Sequence, residues 1–178
     1  RKGDLDNALL DFKKAADISP LNIFSLIKVA EISLLLNKFH LARDYFAKAL
    51  RIDPENVENR VGLANALNQM SVDDINNQRL DSAINQLSIA KELAPNEWEI
   101  SFNLGNAHLR SENFEMAKIA YTNSLTIEDG SAEAHCNLGI TLERLGEFSS
   151  AINSYEKAIA LKPDFSDAKF NLSLLFLK

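Results

Sequence analysis

The sequence predicts an all-α protein, a right-handed superhelical solenoid of antiparallel helix pairs, truncated at both ends. Three observations carry that prediction. Prolines fall at 20, 54, 95 and 163, so the gaps are one period of 34, one period plus seven, and two periods. Columns of small and large residues repeat in the same frame. Only 6 Gly and 4 Pro occur in 178 residues, too few for a turn-rich β protein.

Each proline can be set at slot 32 of a 34-residue frame. Slot 17 then reads Leu5, Phe39, Leu80, Phe114 and Phe148, and slot 20 reads Ala8, Ala42, Ala83, Ala117 and Ala151. Slot 24 reads Phe12, Phe46, Leu87, Tyr121 and Tyr155, and slot 27 reads Ala15, Ala49, Ala90, Ser124 and Ala158. These slots recur at spacings of three and four, which is one apolar stripe of a helix. Slots 4, 7, 8 and 11 do the same for a preceding helix, with Val29-Ala30, Leu63-Ala64, Leu104-Gly105, Leu138-Gly139 and Leu172-Ser173 at 7 and 8. Small residues at 8 and 20 let the paired helices approach, and large ones at 17 and 24 fill the space beside them. Proline cannot continue the second helix, so it closes each unit; Asp129-Gly130 takes its place in the unit that lacks it.

The frame divides the chain into a lone second helix within 1–22, repeats at 23–56, 57–97, 98–131 and 132–165, and a lone first helix within 166–178. The repeat at 57–97 holds seven extra residues around "SVDDINN", between its two helices. Seven residues is about two helical turns, so the stripe keeps its phase. The expectation is a protruding, lengthened hairpin with Asp73 or Asp74 capping the second helix, set against a floppy loop. The last helix is expected to expose Leu172, Leu175 and Phe176. Natural arrays end in polar caps, so the chain reads as a piece of a longer array. Its tail helix and the head helix of another copy would complete one repeat, a head-to-tail self-association.

The pattern Leu-Gly … Ala-x3-Phe/Tyr … Ala … Pro at this period resembles the tetratricopeptide repeat family over essentially the whole chain. The family's first-helix Trp is not kept: slot 4 holds Leu26, Arg60, Ser101, His135 and Lys169. The resemblance implies that the first helices line a concave groove, with slots 2, 5, 6, 9, 12 and 13 facing it. Slot 6 reads Lys28, Gly62, Asn103, Asn137 and Asn171, and slot 9 adds Asn65 and Asn106. An Asn amide both donates and accepts, so it can pair with an extended backbone. Slot 5 adds apolar Phe102, Cys136 and Phe170. The candidate peptide-binding groove is therefore Lys28, Asn65, Phe102, Asn103, Asn106, Cys136, Asn137, Phe170 and Asn171.

With "AHCNLG", "FNLGNAHL" and "DAKFNLSLL", this ladder is similar to the superhelical domain of O-linked N-acetylglucosamine transferases. That likeness implies an alternative role, a substrate-recruiting arm whose catalytic domain lies outside this chain. Slot 2 holds Glu58, Glu99, Glu133 and Asp167, acids that favour the first turn of a helix. Family members that clamp the chaperones' acidic tail carry Lys at slots 2 and 5, so a dicarboxylate clamp is not expected.

Catalytic chemistry finds little support. No pair of glycines has phosphate-loop spacing. His40, His108 and His135 lack i, i+4 ligand partners, so no metal or cofactor is expected. His135 and the single Cys136 are adjacent on a helix and point about 100° apart, which does not suit a nucleophile and its base. A net charge of −6 argues against nucleic acid or an anionic membrane as partner. One cysteine and no signal-like segment make the cytoplasm the expected compartment. The reading is a non-catalytic protein-interaction scaffold.

Overall fold

The computed structural model describes residues 2–177; Arg1 and Lys178, which open the first unit and close the last, lie outside the described residues. It is an all-α repeat solenoid. Among those residues there are ten helices and no strand. In order they are α1 (Lys2–Ile18), α2 (Ile23–Leu35), α3 (Phe39–Ile52), α4 (Val57–Asn76), α5 (Leu80–Leu93), α6 (Trp98–Arg110), α7 (Phe114–Ile127), α8 (Ala132–Arg144), α9 (Phe148–Leu161) and α10 (Ser166–Leu175). Each helix packs on the next along the chain. The even-numbered helices also touch one another, α2 on α4, α4 on α6, α6 on α8 and α8 on α10. No two odd-numbered helices do so among the described residues. The even-numbered helices are therefore the crowded inner layer, and their exposed side is the inside of the curve.

The small-residue columns place these helices. Ala42, Ala83, Ala117 and Ala151 are fully buried, as are Leu87, Tyr121 and Tyr155. A Cβ built on Gly105 falls 2.6 Å from the Tyr121 ring, and one built on Gly139 falls 2.6 Å from the Tyr155 ring. The rings therefore occupy the space that the glycines leave open.

Both kinds of helix end are set by local chemistry. Side-chain oxygens of Asn22, Asn56 and Ser131 accept from the backbone N–H three residues on and cap α2, α4 and α8. The links α2–α3, α4–α5, α6–α7 and α8–α9 share one turn. Asn37, Gln78, Glu112 and Gly146 sit at φ between 56° and 78°. The next N–H in each link reaches back to Ser33, Asp74, His108 or Leu142 at 2.8–2.9 Å, which is the Schellman closure.

That shared turn locates the seven extra residues. They form no floppy loop but lengthen the hairpin through its first helix alone; α4 is 20 residues long where α2, α6 and α8 have 13. Neither Asp73 nor Asp74 caps α5, whose cap position is Arg79 without a side-chain bond. Asp74 instead points inward. Its carboxylate accepts from Arg79 Nε at 2.8 Å, Ser82 Oγ at 2.5 Å and Gln86 Nε2 at 2.9 Å, binding the top of α4 to α5.

The longer helix also shifts the register of the array. Toward α3, its first half is engaged: a Cβ on Gly62 would meet the Phe46 ring at 2.4 Å. Toward α6, its last half is engaged: Asn103 Nδ2 donates to Asn68 Oδ1 at 2.9 Å, and Arg110 Nη1 donates to the Ile75 carbonyl at 3.0 Å. Without a step, Asn103 would reach Asn65, as Asn137 reaches Asn106 at slot 9 of the preceding repeat. Ala66 belongs to the core with α1, α2 and α3, whereas Ala64, Leu67 and Ile75 belong to the core with α5 and α6. So α4 joins two half-arrays offset by seven residues, about 10 Å along the helix axis. Its last two turns stand beyond α3, beside a cleft of about 440 Å³ lined by His40, Arg43, Met70 and Asp74 among others.

At the end of the chain, Leu175 is buried, against the expectation of exposure. It joins the core of α8 and α9, because its stripe faces back onto them. Leu172 is half-buried, and Phe176 is 66% exposed.

Asp74 is a titratable tie between α4 and α5. Burial alone would raise its pKa, but the bonds from Ser82 and Arg79, the Arg79 charge and the Gln86 bond outweigh burial and hold it below the usual carboxylate value. A depressed carboxyl stabilises the fold above its unfolded value of about 3.9, and the effect is lost as pH falls through the lower folded value. Asp74→Ala is expected to cost about 1–3 kcal/mol at neutral pH, discounted because Arg79 is exposed. Urea titrations of both proteins should show that deficit shrinking below about pH 4. A deficit unchanged down to pH 2 contradicts the assignment.

Candidate functional site

On the inner face, the asparagines are not isolated. Asn137 Nδ2 donates to Asn106 Oδ1 at 2.9 Å, Asn106 Nδ2 to Asn103 Oδ1 at 3.4 Å, and Asn103 Nδ2 to Asn68 Oδ1 at 2.9 Å. One amide rail thus crosses α8, α6 and α4 with every donor pointing the same way. Tyr121 fixes its middle, its hydroxyl donating to Asn106 Oδ1 at 2.7 Å. Burial pushes the Tyr121 phenol far above its usual range, so it remains a protonated donor. The amides are half-buried, and Asn68 is buried. Low water access makes such a chain stiffer than the same amides on an open surface.

Asn68 is a residue that the 34-residue frame misses. Counted from the start of its repeat it sits at slot 12, and Gly62 takes slot 6. The step in α4 carries it up to the level of Asn103. The signal that could have found it is a count backwards from Asn103 through the longer helix.

The other candidates divide. Phe102 is half-buried and lies between Trp98, at 6.2 Å between ring centroids, and Tyr121, at 5.9 Å. It supports the rail from behind. Cys136 is buried, and burial first, then Asp167, push its thiol up to about 11. It touches Asn171 through a hydrogen bond, and at neutral pH it is a thiol with no thiolate to attack or to bind metal. Its neighbour His135 turns away to Asp129, with Nε2 3.0 Å from Oδ1. Asn65 and Phe170 are exposed and outside the rail. Lys28 pairs with Glu31 at 2.7 Å and lies over the Phe24 ring, on the other side of the step.

The rail floors a cleft of about 360 Å³. Its walls are Val72, Ile75 and Asn76 from the extra turns of α4, and Leu109 and Arg110 from α6. Among the described residues, no group of three or more His, Cys, Asp or Glu side chains is arranged to hold a metal ion. No described helix is long and apolar enough to cross a membrane.

Family models described as tetratricopeptide repeat match residues 25–56, 99–130 and 132–165, more than half of the chain. The chain belongs to the tetratricopeptide repeat family. Among curated proteins, this tetratricopeptide array is 24% identical over 187 residues to BBSome complex member BBS4 of Bos taurus, matching 90% of the chain but 36% of that protein. The chain therefore spans about a third of that relative's length. Among solved structures, MamA superposes with a TM-score of 0.68 at 22% identity, covering 91% of each chain. YrrB, described as a tetratricopeptide repeat protein with an unusual peptide-binding site, superposes at 0.67 with 23% identity, over 94% of this chain and 83% of that one. At such identities these two likenesses concern the fold.

Proposed function

We propose that this array is a non-catalytic scaffold that holds an extended polypeptide along the inner face of α4, α6, α8 and α10. The observation that carries the reading is the one-way amide rail Asn137–Asn106–Asn103–Asn68. Each rail donor spends one N–H on its neighbour and keeps a second. A peptide backbone alternates donors and acceptors and must satisfy them when covered. A stiff row of amides running from helix to helix suits that demand and favours chain extension over side-chain identity. The peptide-binding description of YrrB, a structure of the same fold, is consistent with the reading.

Each backbone contact adds about 0.5–1.5 kcal/mol net. Replacing Asn103, Asn137 and Asn171 together by Ala is therefore expected to weaken a bound peptide about a hundredfold. Dodecapeptides selected from a random display library and measured by fluorescence anisotropy give the comparison. Helicity by circular dichroism should not change. Equal affinity for both proteins removes the rail from the function.

A further inference from the structure

The cleft on the rail has a bias that a backbone alone does not use. Arg110 is the one ionisable residue among those lining it; the rest are Val72, Ile75, Asn76, Asn103, Asn106, Leu109 and Asn137. The chain as a whole carries −6, so a carboxylate-free wall with an arginine stands out from its surroundings. The Arg110 guanidinium is held in place by one bond, Nη1 to the Ile75 carbonyl at 3.0 Å. That bond exists only because α4 runs two turns past its usual end. A guanidinium has five N–H donors, so four remain without a partner among the described residues.

The amides of the floor are balanced between donors and acceptors, so the surplus of donors in the cleft comes from Arg110. Asn106 Oδ1 already takes two bonds, from Tyr121 and from Asn137. Asn103 Oδ1 already takes one, from Asn106. The second N–H of Asn103, Asn106 and Asn137 stays available beside the four guanidinium donors. A donor-rich, half-enclosed site with a fixed arginine suits an anionic, bidentate acceptor. Val72, Ile75 and Leu109 suit the methylenes that carry it.

We infer that the cleft formed by Arg110, Asn103, Asn106 and Asn137 against the extra turns of α4 is a specificity seat for an acidic side chain of the bound peptide. The acid sits within the peptide rather than at its end, because the rail continues past the cleft to Asn68 on one side and Asn171 lies beyond it on the other. The seat differs from a clamp built on slots 2 and 5, which here carry no basic residue. The inference rests on the peptide-groove reading.

A random dodecapeptide library displayed between fixed flanking segments, selected on the wild-type protein, tests it. The expected binders carry Glu or Asp at one recurring position. Changing that acid to its amide should weaken wild-type binding about tenfold, the factor of one charge-assisted hydrogen bond. Arg110→Gln should erase the difference, and Arg110→Lys should keep part of it. Circular dichroism checks that both variants fold, and the exposed arginine leaves the core untouched. Binders without an acidic position, or an acid whose amidation changes nothing, overturn the seat and leave the groove standing. Acid enrichment confined to a library with a free C-terminus overturns the internal placement. No enriched peptide at all removes the groove reading and the seat with it.

Discussion

Tyr121→Ala is expected to be the most damaging single truncation, costing about 3–5 kcal/mol. The ring is fully buried, and it fills the space that Gly105 leaves between α6 and α7. It also packs against Phe102 at 5.9 Å. Removing it opens a cavity where neither helix can close in, because the flanking Ala117 and Ala120 are small and already buried. Its hydroxyl adds a separate, smaller contribution by holding Asn106. Tyr121→Phe is therefore expected to cost only about 1 kcal/mol, while loosening the rail. Urea denaturation of the two variants separates cavity from hydroxyl. A phenylalanine variant as unstable as the alanine one would make the hydrogen bond, not the packing, the dominant effect.

Gly139→Val is expected to cost about 3 kcal/mol, the upper part of the range for overpacking. Its Cβ would stand 2.6 Å from Tyr155 Cε1, and Tyr155 is fully buried with its hydroxyl on Glu143 at 3.1 Å. Neither the ring nor the backbone of α8 has room to yield. The chain itself shows what relieves such a clash. Pairs sixteen apart at this contact read Ala30 with Phe46, Ser71 with Leu87, Gly105 with Tyr121 and Gly139 with Tyr155. Within a pair, glycine stands opposite tyrosine and a residue with a Cβ opposite phenylalanine or leucine, while Gly62 of the next helix leaves room for Phe46. Tyr155→Leu is thus expected to recover part of the Gly139→Val loss in the double variant, a non-additive result. Additive losses would show that the two side chains do not compete for one space.

Those pairs also show what was readable from the sequence. The slot columns place the helix pairs, the buried alanines and the tyrosine–glycine contacts, because packing at a crossing point tolerates few sizes. The step in α4 was not readable. Seven residues nearly restore helical phase, so the apolar stripe continues undisturbed and gives no sign that the partner on one side has moved. The recurring left-handed turn would have fixed it, but three of its four residues are Asn37, Gln78 and Glu112, and only Gly146 advertises the geometry. Ser71 consequently holds the position that the frame assigned to Ala64, and Asn68, at slot 12, makes the contact with Asn103. Asp74 was legible as a polar residue near a helix end and not as a buried tie, since its partners come from the next helix.

The offset between the half-arrays bears on the shape of anything that lies along the inner face. A straight strand following Asn137, Asn103 and Asn68 meets α2 thirty-four residues back, at Leu34, not at Lys28. To regain the level of Lys28 it must descend about 10 Å, some three residues of extended chain. Leu34 and its neighbour Leu35, 69% exposed, greet it with hydrocarbon instead of amides. A ligand long enough to cross α4 therefore either bends at the step or changes its chemistry there, from a backbone-reading segment to an apolar one.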